Sequence, residues 1–115
     1  MKIYCAHSSA FDYQHDWYDI LRNSSLIAEH DLIFPHEVDI INLNSYSMLQ
    51  NVDCVIAEVS HPSTWMGIEL WWAYALWKPI FCFYKIGTKP SWSLVAVTQH
   101  CLSYNSHEEL IQSIA

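Results

Sequence analysis

DCVIAEVSHPSTWMGIELWWAYALWKPIFCFYK, residues Asp53 to Lys85, is the stretch whose reading decides the fold. Asp53 to Val59 is an apolar, β-branched run with no polar alternation, the pattern of a strand buried on both faces. A Ser/Pro turn follows. Gly67 to Trp77 contains no breaker and reads as a helix stopped by Lys78-Pro79. Ile80 to Tyr84 is a second continuous apolar strand. Strand, helix and strand in this order form a βαβ unit, which implies a parallel sheet.

The unit extends in both directions. Lys2 to Ala6 reads as a buried strand ending in the polar loop His7-Ser8-Ser9. Asp12 to Arg22 carries Trp17, Ile20 and Leu21 at helical spacing, with acids in its first turn. Asp31 to Phe34 is a short strand closed by Pro35. Asn42 or Asn44 can cap a helix through Asn51. Ser93 to Val97 suits a helical turn, and His100 to Tyr104 a last strand. Ser106 with Glu109 forms a capping box that opens a helix to Ile114. The expected fold is a three-layer α/β domain, flavodoxin-like or Rossmann-like. Its five-stranded sheet is mostly parallel, and residues 1–115 form one domain.

Composition narrows the function classes. The chain has 115 residues, is 52% apolar and carries a formal charge of −7. That apolar share supports a folded core. The negative charge argues against nucleic acid or an anionic membrane as partner. No apolar run is long enough to span a bilayer, and the amino terminus shows no signal-peptide pattern. Cys5, Cys54, Cys82 and Cys101 lie in apolar runs without a CxxC pair, so they read as small buried hydrophobes in a cytoplasmic protein. Cys5 has a histidine two positions on, His7. The seven histidines show no HxH or HxxxH spacing, so no metal site is expected. With Gly67 and Gly87 as the only glycines, a dinucleotide fingerprint and a P-loop are excluded, and no cofactor is implied.

In a parallel sheet, ligands bind beyond the carboxyl ends of the strands. The loop from Glu58 to Glu69 is therefore the first place to look. The spacing puts Glu69 in the first turn of its helix, where the macrodipole favours an ionised carboxylate. That position alone is also what a structural first-turn acid would occupy. His7 and His61 belong to strand-end loops, where an imidazole could protonate a leaving group. Glu58 ends its strand and reads more readily as a structural acid than as a second catalytic one.

These residues resemble the central motif of the nucleoside 2-deoxyribosyltransferase superfamily, which includes the 2′-deoxynucleoside 5′-phosphate N-hydrolases. The shared elements are Asp53, Ala57, Glu58, Pro62, Ser63, Gly67, Glu69, Ala73, Lys78 and Pro79. The resemblance is specific over residues 50–84 and looser elsewhere. It implies a Glu69 nucleophile that attacks C1′ of a deoxyribosyl group and forms a covalent glycosyl-enzyme. His7 or His61 would assist base departure. Tyr4, Ser8, Ser9, Ser63, Trp65 and Gly67 would contact substrate, with Ser8 and Ser63 toward a 5′-phosphate, as in the hydrolase branch.

Three departures qualify the resemblance. The first loop lacks the family's glycines and its phosphate-binding arginine. Asn44-Ser45 stands where an acid normally orients the nucleophile, with Glu37 and Asp39 as nearby substitutes. Trp65 replaces a glycine, where it would either fill ligand space or stack on a base. Two readings follow: an active N-glycosidase or transferase on a nucleoside or its 5′-monophosphate, and a divergent domain that binds a nucleotide-like ligand. The aromatic helix of residues 67–77 is too apolar to face water on every side, which implies a homodimer.

Overall fold

The computed structural model describes residues 1–35 and 45–114. In chain order it contains β1 (Lys2–His7), a π-helical turn (Gln14–Tyr18) running into α1 (Asp19–Arg22), α2 (Leu26–Glu29) and β2 (Asp31–Ile33). Then come α3 (Ser45–Gln50), β3 (Cys54–Glu58), α4 (Thr64–Ala75) and β4 (Ile80–Lys85). A 3₁₀ helix (Trp92–Ala96), β5 (Cys101–Tyr104) and α5 (His107–Ile114) complete it.

The five strands form one sheet in the order β2-β1-β3-β4-β5, and every pairing is parallel. Strand periodicity divides the side chains between two faces. Ile3, Cys5, Cys54, Ile56 and Phe83 pack beneath Trp17, Leu21, Leu26 and Leu110. Tyr4, Ala6, Val55, Ala57, Ile80 and Cys82 pack beneath Leu49, Met66, Leu70 and Ala73. The first face is covered by α1, α2 and α5, the second by α3 and α4. Each strand is buried on both sides, which is why its sequence shows no polar alternation. The result is the expected three-layer α/β fold, with the sheet parallel throughout.

The main helix differs from its expected bounds at both ends. It begins at Thr64, three residues before Gly67, because Ser63 supplies the cap. Ser63 is extended (φ −149°, ψ 132°), and its Oγ accepts a 3.4 Å hydrogen bond from the Met66 amide. At the other end Leu76 is the cap and Trp77 turns left-handed at φ 63°. Lys78 N–H then donates to the Ala73 carbonyl at 2.9 Å, and Trp77 N–H to the Tyr74 carbonyl at 3.0 Å. This is a Schellman closure. The closure, rather than Pro79, ends the helix. Of the capping box expected on α5 the Ser106 half is present, with Glu109 N–H donating to Ser106 Oγ at 3.2 Å, while the Glu109 carboxylate accepts one residue earlier, from Asn105 N–H at 3.2 Å. The segment from Asp12 to Arg22 is not one helix but a π turn followed by a short α-helix. The four-residue α2 carries too few residues to show a period in the sequence.

Trp77 occupies a backbone region that glycine prefers, and it is 93% exposed, so its ring packs on nothing within the chain. At concentrations too low for two chains to associate, Trp77→Gly is expected to raise stability by about 1 kcal/mol, because the left-handed cap loses its Cβ penalty. A urea denaturation series checks this: the midpoint should rise with the slope unchanged.

Candidate active site

Glu69 lies in the second turn of α4, since the helix starts earlier than its glycine suggested. The first-turn explanation of this acid therefore does not hold, and the macrodipole contributes little there. Instead its environment comes from the sheet. Glu69 is 4% exposed, and Oε2 accepts a hydrogen bond from the hydroxyl of Tyr4. Tyr4 is on β1 and fully buried. A buried carboxylate needs such a donor, because leaving it unpaired costs more than the bond contributes when made.

Period-two alternation sends the two histidines elsewhere. Tyr4 and Ala6 face α4, so His7 points to the opposite face of the sheet. Its Nδ1 lies 2.8 Å from the Ser8 carbonyl, which can only accept, so Nδ1 carries the proton. Nε2 is then left to accept from the Tyr18 hydroxyl at 2.6 Å. The ring also stacks on Tyr13 with centroids 4.3 Å apart. His61 stacks on Phe11 at 5.2 Å and lines a cavity of about 270 Å³ with Glu58, Lys85, Tyr104 and His107. Glu69 and the two histidines are thus separated by the sheet.

Ser8 is buried, and its Oγ accepts from the Ala10 amide at 3.0 Å. Ser9 is exposed. Ser63 caps α4. Gly67 borders a cavity of about 390 Å³ shared with Pro62, Ser63, Thr64, Ser91 and Ser93. A Cβ on Gly67 would meet nothing within 4 Å. The helix does not need glycine there for its backbone, so what the absent side chain provides is open space beside the helix start. Glu37, Asp39 and Asn44, and the side chain of Ser45, lie outside the described residues.

Glu58 is structural in its bonding. Oε1 accepts from the Ser60 amide at 2.6 Å, and Oε2 accepts from the Tyr104 hydroxyl. Burial, reinforced by that carboxylate, holds the Tyr104 phenol well above its ordinary range. Burial pushes the Cys5 thiol far up, and that of Cys82 up to about 12, which disfavours the nucleophilic thiolate at both positions. Among the described residues no group of three or more His, Cys, Asp or Glu side chains is placed to hold a metal ion.

Beside Glu69 stands a wall of aromatic rings. Trp65, Glu69 and Trp72 recur at i, i+4 and i+7 along one stripe of α4. The Trp72 ring meets Trp65 edge-on at 5.8 Å and Tyr46 of α3 edge-on at 5.6 Å. Of these three, Trp65 alone was expected at the site. The stripe spacing is a sequence signal for Trp72; Tyr46 had none, since it comes from another helix.

The chain is similar to several known proteins in sequence or in fold. Over 52 residues, 45% of this chain, the sequence is 44% identical to a 5-hydroxymethyl-dUMP N-hydrolase of Rattus norvegicus, and the match spans 28% of that enzyme's length. The structure is similar to a CMP N-glycosidase of Clostridium botulinum, with a TM-score of 0.70, 20% identity, and 99% and 98% of the two chains covered. The chain resembles the nucleoside 2-deoxyribosyltransferase superfamily in both motif and fold. A 2-deoxyribosyltransferase of Bacillus psychrosaccharolyticus gives a TM-score of 0.65 at 16% identity, covering 96% of this chain and 90% of that one. No family model matches the chain.

The Tyr4–Glu69 pair gives a direct test. Tyr4→Phe removes the donor and leaves a buried carboxylate short of one partner. Stability is expected to fall by about 1–3 kcal/mol, read from urea denaturation at neutral pH. The loss should shrink in a Tyr4→Phe/Glu69→Gln double variant, because the buried charge is then gone.

Proposed function

We propose that this chain is an N-glycosidase or 2-deoxyribosyltransferase-like enzyme acting on a nucleoside or its 5′-monophosphate, with Glu69 as nucleophile. The observation that carries this reading is the placement of Glu69. Its helix follows β3, and β3 and β1 are the neighbours between which the strand order turns back, where ligands enter open α/β sheets. Tyr4 donates to Oε2 and so fixes the orientation of the carboxylate that would be directed at an anomeric carbon. In this reading the carboxylate forms an ester at C1′ as the base departs, and water or a second base resolves it. The hydroxyls of Ser8, Ser9 and Ser63, with the space beside Gly67, would receive the sugar's 5′ side. The relatives named above, whose descriptions specify nucleotides and deoxyribosyl transfer, support the substrate class.

A second reading is a divergent domain that binds a nucleotide-like ligand without turning it over. The near-complete burial of Glu69 and the Trp65 ring at the helix start favour it. Chromatographic assay of free base across a panel of nucleosides and monophosphates separates the two. Release is expected from the wild type and is expected to vanish in Glu69→Ala, with circular dichroism unchanged. Release that survives in Glu69→Ala removes Glu69 as nucleophile. Ligand binding without any release supports the divergent domain.

We also infer a homodimer, with residues 1–115 as one domain in each copy. On the outer side of α4, Trp71 is 55% and Tyr74 49% exposed, and the 93%-exposed Trp77 continues the patch. Apolar surface of this kind is commonly covered by a partner. Among the described residues no helix is long and apolar enough to cross a membrane. Cysteines that are free throughout the described residues suit a reducing cytoplasm. Sedimentation at micromolar concentration is expected to give twice the chain mass, and Trp71→Glu/Trp77→Glu to give the monomer. A monomeric wild type sinks the dimer.

A further inference from the structure

The face of α4 that carries Glu69 is aromatic, acidic and poor in cations. Trp65 is 49% exposed and Tyr46 38% exposed, and both meet the half-buried Trp72 edge to face. Perpendicular rings joined in this way offer π faces in more than one direction. A ring face attracts positive charge, more strongly when water is displaced. The neighbouring carboxylate adds to that attraction, and so does the formal charge of −7.

The basic residues lie away from this stripe. Arg22, the single arginine, sits 4.7 Å above the Phe34 ring on the opposite face of the sheet. Lys2 and Lys78 are at the amino-terminal edge of the strands, and Lys85 lines the cavity of Glu58. Lys89 is exposed on the loop before Ser91. Among the described residues proton donors are equally sparse. His7 and His61 belong to the other face, and the hydroxyl of Tyr4 already donates to Glu69. A neutral base leaves as an anion unless it is protonated. A base that already carries a positive charge leaves neutral and needs no acid.

We infer that the Trp65–Trp72–Tyr46 rings beside Glu69 select N-glycosides whose base is already cationic, such as a pyridinium or an N7-alkylated purine. The inference rests on the reading of Glu69 as nucleophile. A Glu69 oxygen bonds to C1′ as the C1′–N bond breaks, and the bonding pair stays on the ring nitrogen and cancels its charge. Water then replaces the carboxylate at C1′, giving the free sugar, one proton to solvent and the regenerated carboxylate. The rings bind the cation and the positive charge the base still carries as the C1′–N bond breaks, and so set specificity; they take no part in bond making.

Two measurements on the full chain test this. Calorimetric titration compares N1-methylnicotinamide, a cation, with nicotinamide, its neutral counterpart. The cation is expected to bind at least about 10-fold tighter, and Tyr46→Leu or Trp65→Leu to bring the two toward parity. Equal binding to the wild type overturns the inference. The second compares hydrolysis of 7-methylguanosine and guanosine, as nucleosides and 5′-monophosphates, each rate divided by its uncatalysed rate. The expected preference is again at least about 10-fold for the methylated base, reduced in Tyr46→Leu and abolished in Glu69→Gln. Equal normalised rates that both depend on Glu69 overturn the cation preference and leave the proposed function standing. Rates indistinguishable between wild type and Glu69→Gln overturn both.

Discussion

The parallel pairing of β1 with β3 is the contact on which the rest of the molecule depends. It sets Tyr4 beside Val55 and His7 beside Glu58 in register. Because alternate side chains leave opposite faces, this single alignment decides which polar groups meet. Tyr4 goes up to Glu69 on α4; His7 goes down to Tyr18. A slip of one residue would send Tyr4 into the Trp17 core and leave Glu69 without its donor. The apolar neighbours prevent the slip, since Ile3 and Cys5 would have to leave their side of the sheet with it.

The same alternation produces two buried carboxylates with different lives. Glu58 is held by a backbone amide and a tyrosine hydroxyl, so both oxygens are committed to structure. Glu69 accepts at Oε2 from the Tyr4 hydroxyl and stands in a helix lined with tryptophans. Both are acids at the carboxyl end of one βα unit, and they are insulated from each other by the sheet. A cavity with mixed charges surrounds the first, and an aromatic wall adjoins the second.

Much of the fold is legible in the sequence. The strands declare themselves through continuous apolar runs such as CVIAE, which have no other use in a chain of this size. Helix bounds are less legible, because they turn on single hydrogen bonds. Read from the sequence, α4 starts at Gly67, and only the Ser63 cap shows that the helix begins earlier, at Thr64. The candidate site was legible as a set of positions but not as a set of neighbours. Glu69 and Tyr4 are 65 residues apart, and Glu58 and Tyr104 are 46 apart, so neither contact leaves a local trace. His7 and His61 sit on the expected loops, yet strand parity turns His7 away from Glu69, and a stack on Phe11 keeps His61 at the Glu58 cavity.

The Glu58–Tyr104 bond reaches past β4 to join the third strand of the chain to the fifth. β5 is an edge strand, and among the described residues nothing pairs with its outer side. Edge strands fray first, because half of their backbone groups depend on water. Here the fraying end is tethered. Tyr104 closes β5 with its ring in the core and its hydroxyl on a carboxylate two strands inward, and Ile86 N–H donates to its carbonyl at 2.9 Å. Opening the edge therefore means exposing a buried acid as well as losing a ladder of hydrogen bonds. The tether makes the outermost strand part of the same cooperative unit as the centre of the sheet, and α5, whose Leu110 shares that core, rides with it.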